Sequence, residues 1–420
     1  MDASISAMTA ARQSAKTQTL AIPWFVYAAL FGSTSIIVGG EWDISWHQSI
    51  GRDTFWSPPH LAIYLGGIVA GLASAWVVLR TTFKGTAEQR AAGIRLWGFT
   101  GPLGAFFCIW GALAMVTSAP FDDWWHNTYG LDTEILSPPH VVLALGIAVI
   151  QIGAIITVLA LQNRNEQAAD AGDEIAIKRR LWLRVMCVYA AGMLLKSASV
   201  MTWTYMQRGF MHSSVFYQVG CLVLPLFIIP VARASRLKWP ATATTAVYFA
   251  MSLALLWILP LFPAEPKLGP IRQHVTHLIP LEFPILLIFP AIAIDILMRR
   301  IGEKRDWLLS ALLGVAFFTV LFAVYWPFGD FLQSPLSRNW VFATDQFGYY
   351  VGTNWYIYRH LYYPWDSSTI ALIVGKRPAR TADLDPPHGR RRLRPRPDAA
   401  QPGVQTAGQP EIRDDQRPDP

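Results

Sequence analysis

Nine apolar stretches follow one another along this chain, each near the ~20 residues a helix needs to cross a bilayer's hydrocarbon core. They run roughly over 20–40, 60–79, 97–118, 140–161, 182–205, 215–233, 242–263, 277–298 and 307–327. Apolar residues make up 53% of the 420 and charged ones only 15%, against roughly 25% charged in an ordinary soluble domain. A water-facing surface of this size could not be covered with so little charge. The expected fold class is therefore all-α, a polytopic membrane helical bundle of about nine spans.

Lys and Arg resist crossing the bilayer and so set the orientation. Arg12 and Lys16 precede the first stretch, and Arg80, Lys84, Arg90 and Arg95 lie between the second and third. Arg164, Lys178, Arg179 and Arg180 separate the fourth and fifth, Arg233, Arg236 and Lys238 follow the sixth, and Arg299, Arg300, Lys304 and Arg305 follow the eighth. All fall on one side if segment 1–19 is cytoplasmic, whereas the opposite loops, 41–59 and 119–139, carry only Arg52. The polar start is unlike a cleavable signal peptide. The net charge of +7 thus reflects membrane topology and implies no nucleic-acid partner. Residues 328–375 form an aromatic-rich segment expected at the bilayer surface, where Trp and Tyr favour the interface. The tail 376–420, rich in Pro and Arg, is expected to be disordered. Cys108, Cys187 and Cys221 all fall inside apolar stretches, so no disulfide framework or CxxC motif exists.

An internal repeat carries the chemistry. Asp43, Trp46, His47, Gly51, Asp53, Thr54, Ser57, Pro58, Pro59 and His60 in the first outer loop match Asp122, Trp125, His126, Gly130, Asp132, Thr133, Ser137, Pro138, Pro139 and His140 in the second, with one extra residue before the second Ser. Asp43 and His47 are four apart and share a helix face. Ser-Pro-Pro marks a helix start, where the missing Pro N–H has no partner to lose. His60 therefore opens the second span, and the positive end of that helix disfavours imidazolium, keeping the ring neutral and able to ligate. One carboxylate and two imidazoles are expected to converge at the outer edge of the bilayer, twice. Ionisable groups at that depth are costly in isolation, and a bound ion would offset the cost for all three. Two His and one carboxylate suit iron, zinc or copper, and ligand chemistry alone does not choose. Asp53 and Asp132 could each accept a hydrogen bond from a ligand imidazole and fix its tautomer.

The run WHQSIGRDTFWSPPHLAIYLGG, beginning at Trp46, resembles the signature of the C-type membrane component of the copper membrane monooxygenases, the particulate methane and ammonia monooxygenase family. The resemblance covers about residues 20–235. It implies copper, with Asp43, His47 and His60 as one ligand set and as the catalytic centre. Asp122, His126 and His140 fall on the family's neighbouring site, where Asp122 stands in place of an Asn and adds a negative charge. It further implies an O2-dependent hydroxylase of small apolar substrates, working with partner membrane subunits as an oligomer in a bacterial-type inner (cytoplasmic) membrane. The spans of 236–327 and the tail have no counterpart in that component. Two other classes stay open: a non-catalytic metal-binding or metal-transfer membrane protein, and an ion- or proton-coupled transporter.

Several further residues are candidates. Lys196, Glu282 and Asp295 are charges inside apolar stretches, the default markers of a functional pathway, though Lys196 could instead neutralise a carboxylate on a neighbouring span. His274 and His277, three apart, could form a third metal site with Glu282. His212 and His360 read as loop or interface residues. Trp46 and Trp125 read as interface packing, and the three cysteines as small core residues.

Overall fold

Pro23 is extended and leads into helix α1, Trp24–Ser49. The computed structural model to which this helix belongs describes residues 22–51, 54–129, 137–206, 210–267, 275–301 and 306–344. Helix α1 outruns the apolar stretch that begins it, because no helix breaker intervenes before Gly51. There φ is +100°, a conformation glycine reaches without steric cost. The overrun places Asp43 and His47 on the last two turns.

Helix α2, Pro58–Lys84, starts with Pro58 and Pro59 in its first turn after an extended Ser57. A tight hairpin, Ile94–Leu96 with Phe99–Gly101, follows it. Its turn residues Trp97 and Gly98 both have positive φ, as a type I′ turn requires. Helix α3, Leu103–Tyr129, and helix α4, Pro138–Asp170, repeat the arrangement of the first pair, down to Ser137 and the Pro pair at the start of α4. The repeat reaches further than the loops. Gly32 and Gly66 lie so close that a Cβ on either would stand 2.6 Å from the other's carbonyl oxygen. Gly111 and Gly146 meet in the same way, at 2.5 and 2.8 Å. Gly32 and Gly111 stand eleven residues before Asp43 and Asp122, and Gly66 and Gly146 stand six after His60 and His140. Small residues at matched positions let both helix pairs pack backbone to backbone, a common device of membrane helices.

Helix α5, Glu174–Met201, is capped by the Asp173 carboxylate, which accepts from the N–H groups of Ile175 and Ala176. Arg180 and Arg184 pair with Glu166 across the α4–α5 turn. Helices α6, Ser214–Ala234, α7, Pro240–Ile258, α8, Ile288–Ile301, and α9, Asp306–Gln333, complete the bundle. One apolar core joins α1–α5 through residues such as Ile36, Ala70, Ile150 and Cys187. A second joins α5–α9 around Phe216, Tyr217, Tyr248 and Phe317. Cys108 and Cys187 are buried in the first, as small core residues.

Among the described residues, seven helices are long and apolar enough to cross a membrane: α2, α3, α4, α5, α6, α9 and α7 with its continuation to Leu261. The protein is an all-α polytopic bundle whose apolar helices suit a lipid bilayer. Two of the nine expected spans are absent from that set among the described residues. Helix α1 carries Glu41 and Asp43 near its end, and the eighth stretch is not helical throughout. Residues 278–287 are non-helical, and α8 is only 14 residues long. Pro280 and Pro284 explain the break, since each removes a helical N–H and clashes with the preceding turn. At the other end, α9 absorbs the first six residues of the expected aromatic segment. Segment 1–19, the tail and the rest of the aromatic segment beyond Thr344, His360 included, lie outside the described residues.

Candidate metal centre

Asp43 and His47 project from the end of α1, and His60 from the first turn of α2. The Asp43 carboxylate lies between the two rings. Its Oδ1 is 3.4 Å from His60 Nε2, and its Oδ2 is 3.7 Å from His47 Nε2. His47 is half exposed, whereas Asp43 and His60 are about one-fifth exposed. The i,i+4 spacing sets the contact with His47, and the turn at Gly51 sets the one with His60. In the second hairpin Asp122 Oδ1 is 3.5 Å from His140 Nε2. The side chain of His126 lies outside the described residues, as do Asp53, Asp132, Arg52 and His274.

A first-row ion sits ~2.0–2.2 Å from nitrogen and oxygen ligands, which places such ligands roughly 3–3.5 Å from one another. The Asp43–His60 and Asp122–His140 separations fall in or at the edge of that range, and Asp43–His47 lies just outside it. Among the described residues, no three His, Cys, Asp or Glu side chains yet close round a common point. Asp43 and His60 thus stand at the separation of shared ligands, and His47 lies a little further out. The donor set of two imidazole nitrogens and a carboxylate fits a divalent or cuprous ion.

The first cluster is braced from behind. Ser45 Oγ donates to Ile279 O at 2.6 Å, and Ile279 N donates to Ser49 Oγ at 2.7 Å. Lys267 N donates to Ile50 O at 3.0 Å. The broken segment before α8 is thus hooked to the last turns of α1. Trp46 packs into a core cluster containing Ile37, Ile50, Met193 and Leu278, so it is a packing residue. Trp124 and Tyr129 flank the second cluster and are exposed.

The remaining candidates separate cleanly. Asp295 is buried and accepts from Ala241 N, Thr242 N and Thr242 Oγ1, so it caps the start of α7. Lys196 forms a buried ion pair with Glu41, the neutralising role its position allowed. Glu41 was legible only as an acidic residue near Asp43; its partner is more than 150 residues away. Glu282 lies in the broken segment on the same cavity as that pair. His277 meets Thr276 Oγ1 at 3.0 Å and no carboxylate among the described residues. His212, expected in a loop or at an interface, lies in the turn before α6 and is 2% exposed. Its Nε2 lies 3.0 Å from Asp330 and 3.1 Å from Trp326 O. Burial pulls its pKa below the usual imidazole range, against the opposing pull of the Asp330 carboxylate and the Trp326 carbonyl.

No family model, no curated protein and no solved structure matches the chain.

Proposed function

We propose that this is an integral membrane copper protein whose two hairpins each hold a metal ion, and that it serves an O2-dependent hydroxylase of small apolar substrates. The observation that carries the metal reading is the Asp43 carboxylate standing within 3.4 and 3.7 Å of His60 and His47. Its partial repetition at Asp122 and His140 supports it. Asp43, His47 and His60 would hold one ion; Asp122, His126 and His140 would hold the other. Iron and zinc suit the same donors, and the choice of copper and of oxygenase chemistry rests on the resemblance to the copper membrane monooxygenases.

Bound copper would supply redox chemistry toward O2. The protein's own contribution is positional. Asp43 supplies the negative charge that offsets a cation, and the C-terminal end of α1 adds its partial negative charge at the same place. The first turn of α2 holds His60 with its Nε2 toward Asp43, the nitrogen that would ligate. With the N-terminus cytoplasmic, both clusters face outward, in a bacterial-type inner membrane. Further membrane subunits would complete the enzyme, and the chain would work as part of an oligomer.

Elemental analysis of the detergent-purified protein tests the reading. Copper near two per chain is expected, falling toward one in His60→Ala and toward none when His47, His60, His126 and His140 are all replaced by Ala. Full copper retention in the quadruple variant would end the assignment. Stoichiometric zinc or iron without copper would keep the sites and remove the copper chemistry.

A further inference from the structure

Helix α1 has a second polar face. Glu41 and Gln48 project away from the Asp43/His47 side, into a cavity of about 220 Å³ shared with Lys196, Ser199, Tyr248 and Glu282. Glu41 is 2% exposed and Lys196 is 8% exposed. The Lys196 ammonium gives one of its three N–H donors to Glu41 Oε1, and the Tyr248 ring lies 5.5 Å from Nζ. No other acceptor meets it among the described residues. Glu41 Oε2 is buried and has no hydrogen-bond partner there. An ion pair that is complete in charge is therefore incomplete in hydrogen bonds, beside a space several water molecules in size.

Charge and hydrogen-bond count together define what fits. The pair is already neutral, so a guest seated between its two open positions need carry no charge of its own. A hydroxyl needs one acceptor and one donor, which are what Glu41 Oε2 and Lys196 Nζ leave open. Beside the polar Gln48, Ser199 and Glu282, the walls formed by Val200, Met206, Leu281 and Phe283 are apolar and suit a short hydrocarbon body. We infer that this cavity is a binding site for a small uncharged alcohol, its hydroxyl held between Glu41 and Lys196. The site is separate from the metal clusters and does not depend on them.

Saturation-transfer NMR on the full-length protein in detergent, with 1-butanol as the probe and butylammonium and butyrate as charged counterparts, tests this. Saturable 1-butanol binding is expected, at least tenfold tighter than either ion. Val200→Phe, which fills the cavity and leaves the ion pair intact, should weaken it at least tenfold. The double variant Glu41→Met/Lys196→Met, which replaces the pair without stranding a charge, should do the same. Copper content in Val200→Phe should equal that of the unaltered protein, so the alcohol site and the metal sites fail separately. Non-saturable partitioning in the unaltered protein, equal binding in both variants, or tighter binding of butylammonium or butyrate would overturn the assignment.

Discussion

The hairpin α1–α2 and the hairpin α3–α4 share a plan and differ in what surrounds it. Both bring a carboxylate at the end of one helix to an imidazole in the first turn of the next, at 3.4 and 3.5 Å. Both lock their helices through reciprocal glycines, Gly32 with Gly66 and Gly111 with Gly146. Among the described residues, the second hairpin lacks the serine links that stand behind the first. Where α1 has Glu41, Ser45 and Ser49, the matching positions of α3 are Pro120, Trp124 and Thr128. Ser45 and Ser49 are buried and bonded to Ile279; Trp124 is 52% exposed. The repeat therefore conserves the donor geometry and the helix packing, while the end of α1 alone carries the serine links to the broken segment before α8. The first cluster is the braced one, and Trp124 and Tyr129 beside the second are exposed.

The largest difference should come from the ion pair. Lys196→Met leaves the Glu41 carboxylate buried without its cation, a change that costs about 3–5 kcal/mol. A melting temperature lower by many degrees is expected. Replacing Pro120 by Ala in the unsupported copy should change it far less. Equal losses would contradict the contrast between the hairpins. Next in size are the glycines. Gly32→Leu and Gly111→Leu each force a side chain into a backbone contact under 3 Å and should each destabilise by about 1–3 kcal/mol. Here the two hairpins should behave alike, and a loss confined to one would show that the packing repeat is only apparent.

Much of this was legible in the sequence, and what was not has a physical reason. Apolar length found the helices, because a bilayer forces backbone groups to bond within the segment. It misjudged 278–287, where Pro280 and Pro284 break a run whose hydropathy stays high, and where Ser45, Ser49 and Tyr248 take up freed backbone groups instead. Spacing found Asp43 with His47, since i,i+4 neighbours need no tertiary knowledge. It also found His60, because Ser-Pro-Pro fixes a helix start. Spacing could not find Lys196 as the partner of Glu41, which depends on how α5 packs against α1. Nor could it separate Asp295, which caps α7, from a charge on a pathway. The matched glycines were readable as part of the repeat, but only the 2.6 Å approaches show why both copies carry them.

Metal affinity should follow the bracing. A ligand set held in place loses less freedom on binding than one that must first be ordered. Copper should therefore leave the second hairpin first on dialysis against a chelator, with an affinity about tenfold weaker, equivalent to about 1.4 kcal/mol. His140→Ala should remove the faster-released copper and His60→Ala the slower. The opposite order would mean that the added charge of Asp122 outweighs the bracing of α1.

The smallest test isolates the brace itself. Ser45→Ala removes one buried hydrogen bond, from Ser45 Oγ to Ile279 O, and leaves that carbonyl without its donor, which costs about 1–3 kcal/mol. Among the described residues Thr128 Oγ1 bonds within its own helix, to Trp124 O at 2.8 Å, and is exposed, so Thr128→Ala should fall within about 0.5 kcal/mol of neutral. The same pair of variants separates stability from metal holding. If the brace works through the position of Asp43 and His47, Ser45→Ala should speed copper release from the first hairpin and leave the second unchanged. A stability loss with unaltered release from both would make the link to Ile279 a fastening of the bundle alone, and the greater rigidity of the first cluster would have to come from the Glu41–Lys196 pair on the opposite face of α1.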